Sequence, residues 1–223
     1  MPLQLRPAQD ADGAKLGLIG RDAFRDTLSR SFFPPHLYSK SETGDPSLDE
    51  AQWRAARTMR RMRDGKPTFV VVDVPEDGSG AEEVVGFAQW ELPQATPPAS
   101  EAVAEVDKDT LPGSLDQEKL IEMYAILEKE TKRALGPDGH SKMWYLLLLA
   151  VDPTQYRRGI GRMLVQHGLD QAAKAGKDAF LVATPNGRGL YLSVGFCDME
   201  EPFLLGGTPH YSMLWRKPDS TSA

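Results

Sequence analysis

Cysteine is almost absent: the 223 residues contain one, Cys197. A lone thiol excludes an internal disulfide framework and suits a reducing compartment. Long apolar runs are missing as well. The longest, residues 143–151, is far shorter than the roughly 20 residues that a membrane-spanning helix needs. The opening MPLQLRPAQD has no basic stretch followed by an apolar one, which predicts no secretory signal. Positive charge is not in excess either. Twenty-six Lys and Arg against 32 Asp and Glu leave −6 at pH 7, which argues against a broad nucleic-acid surface. Of the four histidines no two stand at i, i+4, so no zinc site or other metal is expected. The expected setting is the cytoplasm, or cytoplasm and nucleus, with neither membrane nor nucleic acid as a partner.

What is present suffices for one sizeable core, at 40% hydrophobic residues. A single domain is expected over 1–217, with an insertion of loop and helix at about 93–140 and a disordered tail at 218–223. The alternating LQLRPAQ predicts an edge strand, and Leu16, Leu18, Ile19, Phe24 and Leu28 predict a helix broken at Pro34-Pro35. Ser47 and Glu50 have the spacing of a capping box for a helix reaching Arg63, with Trp53, Ala56, Met59 and Met62 on its buried side. Two β-rich runs, 68–74 and 83–92, flank Asp77-Gly78-Ser79-Gly80 as a hairpin would. The Pro/Ala/Ser-rich stretch 93–113 reads as a long loop. A second capping box at Ser114 and Gln117 opens a helix over 115–134. Then come a buried strand at 143–151, a helix at 159–175, a strand at 178–184, a short helix, and final strands at 196–205 and 210–217. Cys197 falls in the first of these last strands, where a buried, inert thiol is expected. The order predicts an α+β domain built around a mixed sheet.

One junction carries chemistry. In LLLLAVDPTQYRRGIGRML a greasy strand ends at Val151, a proline follows, and Arg157-Arg158-Gly159-Ile160-Gly161 opens a helix. The first amides of a helix have no intrahelical partner and sit at the positive end of its dipole. Gly159 and Gly161 clear side chains from that end, and Arg157, Arg158 and Arg162 bring donors suited to phosphate oxygens. The pattern is neither a P-loop, lacking Gly-Lys-Ser/Thr, nor a dinucleotide fingerprint, since its third glycine would fall on Leu164.

The segment AVDPTQYRRGIGRMLVQHGLDQA resembles motif A of the GNAT superfamily of N-acetyltransferases, and LVATPNGRGLYLSVGF resembles that family's second signature. Together they cover about 145–196. The family's Gln/Arg position falls on Tyr156, with Gln155 one residue early, and a position often held by Asn falls on Thr184. The resemblance implies a mostly antiparallel sheet flanked by helices, with a splayed pair of parallel strands holding acetyl-CoA. It implies a pyrophosphate seat at Tyr156, Arg157, Arg158, Gly159, Ile160, Gly161 and Arg162. It further implies pairing of the pantetheine arm with Leu149, Ala150 and Val151, and polarisation of the acetyl carbonyl by an amide of Leu149 or Val151. Tyr191 stands at the position of the general acid. The base is left open between Glu91, at the end of GFAQWEL, and water. Phe32, Phe33 and Trp90 are expected near an amine acceptor, either a small molecule or a peptide. The implied activity is direct acetyl transfer to a primary amine by a monomer or homodimer, with a non-catalytic acyl-CoA-binding regulator as the alternative.

Overall fold

The computed structural model describes residues 2–74, 82–94 and 111–218. The expected turn at 77–80 and most of the expected loop 93–113 lie outside the described residues, as does the tail after Pro218. Strands are β1 Leu3–Pro7, β2 Thr68–Asp73, β3 Glu83–Glu91, β4 Trp144–Val151, β5 Ala179–Ala183, β6 Cys197–Asp198, β7 Phe203–Leu205 and β8 Thr208–Trp215. The main helices are α1 Gly13–Ala23, α2 Pro46–Arg63, α3 Gln117–Leu135, α4 Ile160–Lys174 and α5 Pro185–Ser193. The sheet runs β1-β2-β3-β4-β5-β8-β6, with β7 also paired to β8. Every pairing is antiparallel except β4 with β5. β8, the last strand in sequence, therefore lies inside the sheet, between β5 on one side and β6 and β7 on the other.

The strand runs have few polar residues because both faces of the sheet are covered, and successive side chains go to opposite layers. Val70, Val72, Phe87 and Ala150 pack under α1 with Leu16 and Ile19. Their neighbours Val71, Val85, Ala88 and Trp90 pack under α4 with Leu164 and Leu169. Off the sheet, Phe32, Phe33 and Trp53 join Leu115 and Leu120 in a third cluster that fastens the N-terminal helical region to α3.

Local chemistry moves several expected boundaries. Asp45, not Ser47, caps α2: its carboxylate accepts the Ser47 N–H at 2.9 Å, and Pro46 takes the first helical position, where no amide is needed. Asp116, not Ser114, caps α3 by accepting the Lys119 N–H at 3.0 Å. Ser114 instead donates to Asp49 of α2 at 2.6 Å, a second tie between the helices. α2 is also rolled relative to expectation. Ala56 is exposed, while Ala51, Thr58 and Arg61 are buried and Arg54 and Arg57 turn inward with them. The expected strand 196–205 divides into β6 and β7, and Cys197 is exposed rather than buried, because the two-residue β6 is the outermost strand of the sheet.

α3 acts as a brace across the molecule. Near its start the Asp116 N–H donates to the Phe32 carbonyl at 2.7 Å. Near its end Arg133 donates to Glu200 and to the Glu201 carbonyl, in the connection between β6 and β7.

Candidate active site

The parallel pairing of β4 and β5 stops after Leu146 and Leu181. β5 continues along β8, while the rest of β4 stays with β3, so a cleft opens between the two parallel strands. The Asp152 N–H bonds the Val85 carbonyl at 2.9 Å, and antiparallel alternation then gives Ala150 and Leu148 to β3 as well. The N–H and C=O groups of Leu149 and Val151 face the other way, into the cleft. At the apex of the cleft β4 bulges: Gln89 pairs with Leu148 and Trp90 with Leu146, leaving Leu147 as the extra residue.

The glycine-rich junction forms the mouth of this cleft. Asp152 accepts the Thr154 N–H and hydroxyl and starts a short 3-10 turn over Pro153–Gln155. The chain then reverses through two left-handed residues, Arg157 at φ 70° and Gly159 at φ 81°. For glycine this conformation is free, whereas for arginine it costs roughly 1 kcal/mol. The first bond of α4 runs from the Met163 N–H to the Gly159 carbonyl at 3.0 Å, so the amides of Ile160, Gly161 and Arg162 have no partner within the helix. A Cβ on Gly161 would lie 3.0 Å from Leu190 and 3.9 Å from both Leu149 and Val151. The bared helix end and the unpaired edge of β4 thus share one space, which an anion with an extended tail can occupy.

Arg158 is drawn aside, donating to Asp73 at the end of β2 and to Gln155, each at 2.6 Å, and so pins the loop to the sheet. The hydrogen bond from Arg158 holds the Asp73 carboxyl below its usual range. Tyr156 is half exposed beside the loop.

Tyr191 sits on α5, its ring edge-on to Phe196 at 5.9 Å, in the apolar cluster that includes Leu149, Val151 and Leu190. Burial pushes its phenol well above the usual value, so it keeps its proton. The Thr184 hydroxyl caps α5 by accepting the Gly187 N–H at 3.2 Å.

On the opposite face of the sheet lies a cavity of about 250 Å³ between α2, α3 and strands β3 and β4. Leu147 and Leu148 of the bulge line it, so it meets the apex of the cleft from the far side. Phe32 and Trp53 form part of its wall. Phe33 belongs to the apolar cluster behind it. Trp90, expected near the acceptor, is instead fully buried on the α4 face of the sheet, edge-on to Trp144 at 6.0 Å and against Gly168. Glu91 is buried beyond the bulge. Its carboxylate takes Lys66 at 2.7 Å and Gln94 at 2.6 Å, and His140 Nε2 stands 3.8 Å away. Although burial alone would raise it, the nearby His140 and the hydrogen-bonded ammonium of Lys66 hold this carboxyl down to about 2. Glu91, one of the two candidates for the base, is thus held in the structure as an ion-pair partner of Lys66.

Sequence reasoning missed three features. The bulge at Leu147 leaves no mark in a run of leucines. The left-handed Arg157 carries no glycine to announce it. The inward row Arg54, Arg57 and Arg61 did have a signal, its helical spacing of three and four, but such a row reads as a solvated face.

A family model for the acetyltransferase (GNAT) family matches residues 22–196. Among solved structures, the chain is similar to a histone acetyltransferase HPA2 and related acetyltransferase from Corynebacterium glutamicum, at 20% identity and a TM-score of 0.60 over 99% of each chain. It is similar to the PaiA N-acetyltransferase of Thermoplasma acidophilum, solved in complex with coenzyme A, at 13% identity and a TM-score of 0.54 over 97% of this chain and 99% of that one. A third is YncA of Salmonella typhimurium, a putative acetyltransferase solved with its cofactor acetyl-CoA, at 17% identity and a TM-score of 0.52 over 99% of this chain and 96% of that one. No curated protein matches. With the splayed strands, the bared helix end and a family match spanning most of its length, this chain belongs to the GNAT family of acetyltransferases.

Proposed function

We propose that the protein transfers the acetyl group of acetyl-CoA directly to a primary amine, with both substrates bound together. One observation carries the reading: the amides of Ile160, Gly161 and Arg162 open onto the same cleft as the free edge of β4. A diphosphate is stabilised at such a helix end, and an amide-bearing arm pairs with Leu149 and Val151 as an added strand would. Two structures of similar fold contain coenzyme A or acetyl-CoA, which supports the same cofactor here.

The chemistry then falls to named groups. The ammonium form of the acceptor gives up one proton to solvent before attack, and Glu91, whose oxygens already accept from Lys66 and Gln94, takes no part. The neutral amine attacks the thioester carbonyl, forming the C–N bond, while an N–H of Leu149 or Val151 stabilises the oxyanion. The C–S bond breaks, Tyr191 donates its proton to the departing sulfur, and the second amine proton replaces it on the phenol. The products are amide, free thiol and one released proton. Calorimetric titration with acetyl-CoA tests the first link. Saturable binding is expected, weakened at least tenfold in Gly161→Glu, whose carboxylate would stand at the phosphate seat. Folded protein that shows no saturable binding overturns the proposal.

A further inference from the structure

Resting on that reading, we infer that the acceptor is a small primary amine with an uncharged, apolar body, and not a protein side chain, a polyamine or an amino acid. The inference comes from what surrounds the cavity at the Leu147 bulge.

The cavity holds about 250 Å³ and is open to solvent on one side. Its roof is α3, which is fastened to Phe32 at one end and to the β6–β7 connection at the other. A helix tied at both ends resists swinging aside, which favours a small acceptor over the surface of a second protein. Apolar side chains dominate the walls: Phe32, Trp53, Phe87, Met123, Leu127 and Leu148.

Most of the charged groups in those walls are already engaged with neighbours. Arg54 binds Glu50 at 2.7 Å, Lys132 binds Glu128 at 2.6 Å, and Asp138 binds Lys142. The Arg57 guanidinium lies between the rings of Trp53 and Tyr124, 5.1 and 5.0 Å from their centres. Arg61 reaches the Tyr124 hydroxyl at 3.4 Å, and both arginines have further interactions. A second ammonium on the acceptor would meet a wall in which Arg54, Arg57, Arg61 and Lys132 outnumber Glu128 and Asp138, and a carboxylate would have to compete with the partners these cations already hold. An aryl or alkyl body meets no such obstacle.

The same walls act on the amine itself. An ammonium group drawn into an apolar pocket is desolvated, which lowers its pKa and delivers the neutral nucleophile without a strong base. The Ser141 hydroxyl lines the cavity, is buried, and has no hydrogen-bond partner among the described residues, so it is available to the amine.

The test is a thiol-release assay with acetyl-CoA and four probes: phenethylamine, phenylalanine, spermidine and a lysine-containing peptide. Phenethylamine is expected to show a kcat/KM at least tenfold above each of the others. Leu127→Trp, which fills the cavity far from the phosphate seat, should raise KM for phenethylamine at least tenfold and leave acetyl-CoA affinity unchanged. Unchanged affinity also shows that the variant is folded; if it is not, Met123→Phe serves in its place. Equal or better turnover of any of the other three probes overturns the inference, as do failure to acetylate phenethylamine and an unaltered KM in the filled variant. Acetyl-CoA binding separates the two levels. Binding with the wrong acceptor preference defeats only this inference, while absent binding defeats the transferase mechanism beneath it.

Discussion

Tyr191 has a ring that the core holds and a phenol that keeps its proton across the working pH range. Removing only the oxygen separates the two roles. Tyr191→Phe keeps the contact with Phe196 and the melting temperature, and is expected to lower kcat by roughly a hundredfold, the usual scale of lost acid catalysis. An unchanged kcat would strip the residue of that role. Glu91 makes a different prediction. Its carboxyl is depressed in the folded protein, so its contribution to stability is complete above the ordinary value of 4.5 and fades as pH falls towards about 2. On the order of 2 kcal/mol should be lost over that window, and denaturant titrations at pH 6 and pH 3 measure it. In Glu91→Gln that portion of the pH dependence should vanish. None of this was legible in sequence: GFAQWEL shows an acidic residue at a strand end, while Lys66, His140 and Gln94 reach it only through folding.

Among the elements, α4 and the strands around it were the most readable. Its start and stop are written in Gly159 and Gly176, both left-handed, and its apolar face follows helical spacing. α2 was placed well but rolled wrongly, because hydrophobicity ranks Met59 and Met62 above Arg54 and Arg61. Packing reverses that order by giving Arg54 a buried carboxylate and Arg57 two aromatic faces. The fit of α4 to the sheet depends on Gly168, where a Cβ would stand 2.2 Å from the Trp90 ring. Gly168→Ala, normally a gain within a helix, is expected here to destabilise by about 2–3 kcal/mol through overpacking. The denaturant midpoint reads the effect, and an unshifted midpoint would mean that helix and sheet can separate without cost.

Across the whole molecule, a ligand held at the cleft mouth and along β4 bridges α4 to the sheet and should stabilise both. At a hundred times its dissociation constant, acetyl-CoA is expected to add about 2.7 kcal/mol, or roughly 5–10 °C in melting temperature. A thermal scan with and without the cofactor checks this. The sheet and its splayed pair could be foreseen from element order and two motifs. The cavity could not, since α2, α3 and β4 are distant in sequence and meet only through clusters such as Phe32, Trp53 and Leu120. The placement of β8 bears on how the protein is born. Because β8 is inserted between β5 and β6, a chain still emerging from the ribosome exposes the bare flank of β5 until residues 208–215 have been made. The finished sheet does not exist before then, so the splayed pair that frames the cleft lacks its outer support until β8 has been made.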